Sequence, residues 1–406
     1  MTEPSRRWRN LGLAAGGATA VLFAIFDVYQ WVVATSSDVF HNDFTFYYAA
    51  ARIGLTHGWP HIYNLQLQQA ELDALGSHIT IAQLARYISP PPVAWLAGPL
   101  TGLQYPAAYG IWSVLLMVAL LLTIQYAAPG NGGPKQIFVA AAVGWLPVIY
   151  GLQLGQPGLF VALGVAGSYA LLRWNRPWLA GFALGAIAFK PQLAFLVPLA
   201  LLAAGQRRAF AGSVISLGAL AGLSAIALGG AGISDYLDRL NFAASVSVNR
   251  ELTLAFVLGD AARPFQIFIA AWAMLMVYRT RRRGLEWLYV LALVGGMLAT
   301  PYVHLDDLMM LGLAGLLFLR THPAGWTLAC ILAAVVVIEG EPIWGPVPVL
   351  VAELAALVLL SGAALKHHDR DAEQDHAEAE HDGGLERDRE HLVVDGQPEA
   401  FDVRHA

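Results

Sequence analysis

RRWRNLGLAAGGATAVLFAIFDVYQWVVA, residues 6–34, opens on three arginines and continues as an apolar run whose only charge is Asp27. Basic residues followed by an apolar stretch are the order of a signal peptide, but the run from Leu11 to Ala34 is longer than the apolar region of such a peptide. It matches the roughly 20 residues that cross a bilayer core, so it reads as an uncleaved first membrane helix. Apolar runs of this kind recur as far as Leu365. The composition agrees: 57 % of the residues are apolar and 13 % charged, against about 25 % charged in soluble domains. Water is not the main solvent of this chain, and the expected fold is an all-α polytopic membrane domain over residues 1–365.

After the first helix comes a mixed segment, about 35–106, that holds most of the polar and aromatic residues of the N-terminal third. It is expected to be a structured loop with short juxtamembrane helices. Ile81, Leu84, Ala85 and Ile88 recur at helical spacing, which suits a helix lying on the membrane surface, and residues 65–75 suggest another. Pro90, Pro91 and Pro92 stop the first of these, and Val93 to Leu103 is too short to span alone. Further spans are expected near 108–127, 136–150, 158–173, 178–190, 191–204, 209–229, 263–279, 285–299, 307–320, 324–338 and 347–365, about twelve in all.

Arg6, Arg7, Arg9, Lys135, Arg173, Arg176, Arg207, Arg208, the arginines from Arg279 to Arg283, Arg320 and Lys366 fall on one side of this alternation. That side is expected to be cytoplasmic, with both termini, and the acids and amides then collect outside. Residues 366–406 are rich in Asp, Glu, His and Arg and bury too little apolar surface to offset their ordering entropy, so a disordered cytoplasmic tail is expected. Its histidines have no structural metal spacing. The single cysteine, Cys330, sits in an apolar run and excludes an intramolecular disulfide. The net charge of -5 gives no basic face for a nucleic acid.

Asp43, in His41-Asn42-Asp43-Phe44-Thr45-Phe46-Tyr47-Tyr48, stands beyond the outer end of the first helix. It suits a helix N-cap, and equally a general base at a membrane–water boundary, where desolvation raises a carboxylate pKa. Gly151-Leu152-Gln153-Leu154-Gly155-Gln156 suits a helix–helix turn or a contact between Gln156 and a sugar hydroxyl. Lys190, in Phe189-Lys190-Pro191-Gln192, is the only lysine between Lys135 and Lys366; a cation between apolar runs snorkels or meets an anion, such as a lipid phosphate. Thr300-Pro301-Tyr302-Val303-His304-Leu305-Asp306-Asp307 brings two acids and a histidine to another outer helix start, where the acids suit the helix dipole better than a metal. Arg250 is a second candidate for phosphate, or else the partner of Glu251.

Taken in order, Asp43-Phe44 through Tyr47-Tyr48, Pro90-Pro91-Pro92, Gly155-Gln156, Lys190-Pro191-Gln192 and Thr300-Pro301-Tyr302 with Asp307 resemble glycosyltransferase family 87. The resemblance covers about two thirds of the chain and implies a GT-C-type bundle. It also implies a polyprenyl-phosphate-linked sugar donor, a glycolipid or glycan acceptor, and transfer outside the cytoplasmic membrane, with mannose the first expected sugar. On this resemblance Asp43 is the base, Lys190 and Arg250 meet the donor phosphate, and Tyr47, Tyr48, Gln156, Gln192, Tyr302, His304 and Asp307 contact sugar or acceptor. No metal or other cofactor is implied. The segment before Asp307 departs from the family pattern, which leaves sugar and acceptor open. The alternative is a transporter or flippase of a lipid-linked sugar, with Asp27 as a coupling residue, although no symmetric pair of broken helices is visible.

Overall fold

The structure is a computed structural model and describes residues 3–82, 86–130, 133–323 and 325–365. The chain divides into two compact units, Met1–Val358 and Leu359–Ala406, and the described part of the second is helical throughout. Among the described residues there is no strand. The α-helices are α1 (Glu3–Ser37), α2 (Phe44–Thr56), α3 (Leu65–Ala74), α4 (Pro91–Ala97), α5 (Tyr105–Ala127), α6 (Gly133–Val143), α7 (Leu146–Leu154), α8 (Gly158–Arg173) and α9 (Pro177–Ala183). They continue with α10 (Leu196–Ala203), α11 (Arg207–Ser245), α12 (Leu254–Leu258), α13 (Ala262–Thr280), α14 (Leu285–Ala299), α15 (Met309–Leu319), α16 (Gly325–Glu339), α17 (Glu341–Trp344) and α18 (Pro346–Leu365).

Five helices among the described residues are long and apolar enough to cross a membrane: Ala14–Ser37, Tyr105–Ala127, Arg207–Ser245, Leu254–Thr280 and Pro346–Leu365. Lys135–Val143 and Leu146–Leu154, bent by 66°, make a sixth if the pair is one crossing. The chain is therefore a multi-pass membrane protein. The other expected spans form shorter apolar pieces. The stretch expected to hold two spans forms α9, two 3-10 turns (Leu184–Phe189 and Pro191–Leu193) and α10, with Pro177 opening α9 and Pro191 at the break between the turns. Length and composition thus support five or six crossings where about twelve are expected from the sequence. The long helices keep apolar side chains exposed, Leu22, Ile226 and Ile267 among them, as a surface bathed in lipid requires.

The first loop is compact. Asn64 caps α3, its side chain accepting from the backbone N–H of Gln66 and Leu67. The surface helix expected over 81–88 does not form at its described positions; residues 83–85 lie outside the described part. Glutamines of α3 hold this strip instead. Gln69 accepts from the Ile81 N–H and donates to the Ile79 carbonyl, and Gln68 accepts from the Tyr87 N–H. These side-chain bonds compete with the helical ladder for the same backbone groups.

Candidate active site

Asp43 precedes α2 but does not cap it. Its side chain makes no cap hydrogen bond; Asn42 does that work, accepting from the Thr45 N–H at 3.2 Å. The Asp43 backbone is tied elsewhere, its N–H donating to the Leu154 carbonyl at the end of α7. Released from capping, the carboxylate accepts a short hydrogen bond from Gln156 Nε2. Tyr47, one turn into α2, donates its hydroxyl to Gln156 Oε1 at 3.3 Å, which fixes the amide's orientation.

A glycine turn delivers Gln156. Gly155 has φ +69°, its N–H donates to the Leu152 carbonyl and the Gln156 N–H donates to the Gly151 carbonyl, the two bonds of a Schellman ending for α7. A Cβ on Gly155 would lie 2.9 Å from the Phe44 Cβ, so glycine also permits the close approach of this turn to α2. Trp112 of α5 donates to the Gly155 carbonyl at 2.8 Å and locks the turn from the other side. The sequence motif is both a helix–helix turn and a polar contact.

Lys190 is 8 % exposed and sits at the break between two 3-10 turns. Its ammonium lies 2.8 Å from Asp306 Oδ2 and 2.5 Å from Asp307 Oδ1. The cation expected to face a lipid phosphate faces two carboxylates instead. Asp307 Oδ2 accepts from the His304 N–H at 3.0 Å, so both of its oxygens are used. Asp306 keeps one oxygen, Oδ1, buried and without a hydrogen-bond partner. A Cβ on Gly151 would lie 2.8 Å from the Met309 Cε and 3.4 Å from the Asp306 Cβ, so glycine keeps this face of α7 open to the 305–309 turn.

His304 turns its Nε2 to Asn249 Oδ1 at 2.9 Å rather than to an acid. Asn249, 1 % exposed, is itself held by donation to the Ala243 carbonyl at the end of α11. The Tyr302 ring packs against the His304 ring, centroids 4.9 Å apart and tilted by 54°. Arg250 is half-buried and makes no ion pair with Glu251 among the described residues. Tyr48 is drawn into packing, its hydroxyl donating to the Leu103 carbonyl at 2.8 Å. Gln192 is half-buried in the turn after Lys190.

Asp306, Asp307 and Lys190 thus form a buried cluster with more acid than base, and the half-buried Asp43 carboxyl lies within reach of its charges. Burial pushes the Asp43 carboxyl up to about 7, reinforced by the Asp306 charge and opposed by Lys190 and the Gln156 hydrogen bond. Burial presses Asp306 and Asp307 towards the neutral form as well. Lys190 overcomes this for Asp306, which stays below the usual carboxylate value, whereas Asp307 is pushed up to about 7. Asp43 and Asp307 are both raised to near neutrality, but both Asp307 oxygens are taken by Lys190 and the His304 N–H, so Asp43 is the one free to exchange a proton with a substrate.

Of the expected site residues, Asp43, Tyr47, Gln156, Lys190, Tyr302, His304 and Asp307 come together; Tyr48 belongs to the packing of the first loop. Asp306 and Asn249 were not among them. By sequence Asp306 suits the helix dipole, and an asparagine in a short loop carries no distinctive signal.

The chain is a polytopic helical membrane protein with a lysine and two acids paired in its interior. The chain belongs to glycosyltransferase family 87, whose profile matches residues 87–305, more than half of its length. It is a glycosyltransferase of the membrane, acting on a sugar donor and an acceptor. The matched residues include Gln156, Lys190, Asn249 and His304; Asp43 precedes them and Asp306 follows. Neither the curated proteins nor the solved structures contain a match.

Proposed function

We propose that the protein transfers a hexose, mannose in the first place, from a polyprenyl-phosphate donor to a glycolipid or glycan hydroxyl on the outer face of the cytoplasmic membrane, with inversion. The observation that carries this reading is the half-buried Asp43 carboxyl, held by Gln156 and raised to about 7 by burial and the Asp306 charge. A carboxylate in that range is a competent general base for a hydroxyl that loses its proton as it attacks.

The reaction is one displacement. The acceptor oxygen forms a bond to the anomeric carbon, its proton passes to Asp43, and the bond from that carbon to the phosphate oxygen breaks, releasing polyprenyl phosphate. Tyr47 and Gln156 orient the base; Gln156, Tyr302, His304 and Gln192 supply polar groups for sugar and acceptor hydroxyls. Lys190 serves by fixing Asp306 and Asp307. The leaving phosphate calls for a cation without a carboxylate partner, and Arg250 fits that requirement.

The test is to incubate the purified protein with radiolabelled polyprenyl-phosphate mannose, or its glucose or arabinose equivalent, and a membrane lipid extract. A new labelled glycolipid is expected from the wild type, with a loss of roughly 10²-fold or more in Asp43→Asn. Wild-type turnover in that variant removes the base assignment. Movement of the labelled donor across a bilayer without a new glycosidic bond would replace transfer by transport.

A further inference from the structure

Two arginines outside the acid cluster come to the same face of α11 with no ion-pair partner among the described residues. Arg86, in the first loop, lays its guanidinium 4.0 Å over the ring of Phe242 in α11. Arg239 lies three residues before Phe242 and therefore on the same face of that helix. Tyr236, three residues earlier still, stacks on Tyr63 of the first loop at 4.9 Å. Arg239 is thus bracketed by two contacts with the loop and is turned towards it.

The two guanidiniums are close enough for the charge of Arg239 to bear on Arg86. Neither has an ion-pair partner among the described residues, although Asp235 and Asp238 share the helix with Arg239. Arg239 Nε is buried with no hydrogen-bond acceptor. Both side chains remain half-exposed, so an incoming group can reach their outer edges. Like charges brought together with an unmet buried donor call for an anion, and guanidinium forks match phosphate oxygens two at a time.

We propose that Arg86 and Arg239 form a binding site for the phosphate of an anionic lipid, separate from the phosphate of the sugar donor. Arg86 precedes Tyr87 in the chain, but its guanidinium is carried to Phe242 of α11, the helix of Arg239 and Tyr236, and an aromatic stack runs from that helix towards the base. Tyr63 is stacked by Tyr87 at 5.4 Å and by Tyr236 at 4.9 Å, and a ring has two faces, so Tyr236 lies a full stack beyond Tyr87. It is Tyr87 that touches Tyr47, the neighbour of Asp43, at 6.2 Å. A donor phosphate is one oxygen away from the carbon attacked beside Asp43 and does not extend past that stack. The phosphate held by the arginines belongs to a second lipid, either the acceptor or a phospholipid of the surrounding bilayer.

The test compares wild type, Arg86→Gln/Arg239→Gln and Arg86→Lys/Arg239→Lys in phosphatidylcholine bilayers with and without phosphatidylglycerol. Binding of spin-labelled phosphatidylglycerol is expected to weaken by roughly tenfold or more in the glutamine variant and less in the lysine variant, which keeps charge but loses the fork. This arm needs no turnover, so it stands whether or not the proposed transfer is correct. In the transfer assay, a raised KM for acceptor lipid with an unchanged donor KM assigns the phosphate to the acceptor. Unchanged KM for both, with weakened phosphatidylglycerol binding, assigns it to the bilayer. Equal phosphatidylglycerol binding in all three proteins overturns the site, and a raised donor KM alone overturns its separation from the donor.

Discussion

Asp43 and Gln156, 113 residues apart in sequence, meet side chain to side chain, the amide donating to the carboxylate while Tyr47 donates to the amide. Across the cluster, Asp306 is held ionised by Lys190 and opposes the ionisation of Asp43. Asp43 therefore acts under two opposed influences, and the pH dependence of transfer reads their balance. The base works deprotonated, so kcat/KM falls as pH drops through about 7. Asp306→Asn removes a charge that raises Asp43, so the acid limb moves to lower pH. A limb that stays in place in that variant excludes Asp306 as its cause.

The same carboxyl has a signature in stability. In the unfolded chain an aspartate titrates at about 3.9, and in the folded protein Asp43 is raised to about 7. The folded state binds this proton more tightly, so the contribution is complete below the unfolded value and is lost as pH rises through the folded one. Asp43→Asn carries no charge at any pH. Its Tm relative to wild type in detergent is expected to rise between about pH 4 and about pH 7, while activity is lost.

Lys190 offers a test of the acid cluster that does not depend on turnover. Lys190→Met leaves two carboxylates buried at 1 % and 0 % exposure without their cation, and breaking a buried pair from one side costs about 3–5 kcal/mol. Lys190→Met/Asp306→Asn/Asp307→Asn removes the uncompensated charge and is expected to regain most of that loss in thermal unfolding. If Lys190 were free to bind phosphate, the single variant would unfold near the wild-type temperature.

What the sequence made legible follows from what is local. Apolar runs, proline breaks and the Gly151-to-Gln156 turn are written in neighbouring residues, and the helices and the Schellman ending appear where those residues stand. Asp43, Gln156, Lys190 and His304 stood out because polar groups beside apolar runs are costly. Their partners are tertiary. Lys190 meets Asp306 across 116 positions, and nothing in Lys190-Pro191-Gln192 distinguishes a lysine facing phosphate from one facing two acids. The cap of α2 went to Asn42 rather than Asp43, a choice between adjacent residues that both suit the role. Five or six helices meet the length and composition of a crossing where about twelve are expected, because an apolar piece too short to span has the same composition as part of a span.

Gly155 carries the last prediction, because it joins backbone geometry to the site. With φ at +69°, alanine there is strained, and its Cβ would press on the Phe44 Cβ at 2.9 Å, where neither the Trp112-anchored turn nor the start of α2 yields easily. Gly205 is the matched comparison: its φ is +80°, but nothing lies within 4 Å of an added Cβ. Gly205→Ala is expected to cost only the backbone strain, about 1 kcal/mol, and to leave transfer unchanged. Gly155→Ala adds an overpacking cost of about 1–3 kcal/mol, and it displaces Gln156 from Asp43. Its kcat is expected to fall well below that of Gly205→Ala even at temperatures where both proteins are folded. Equal kcat in the two variants would mean that the Gln156–Asp43 contact does not govern the base.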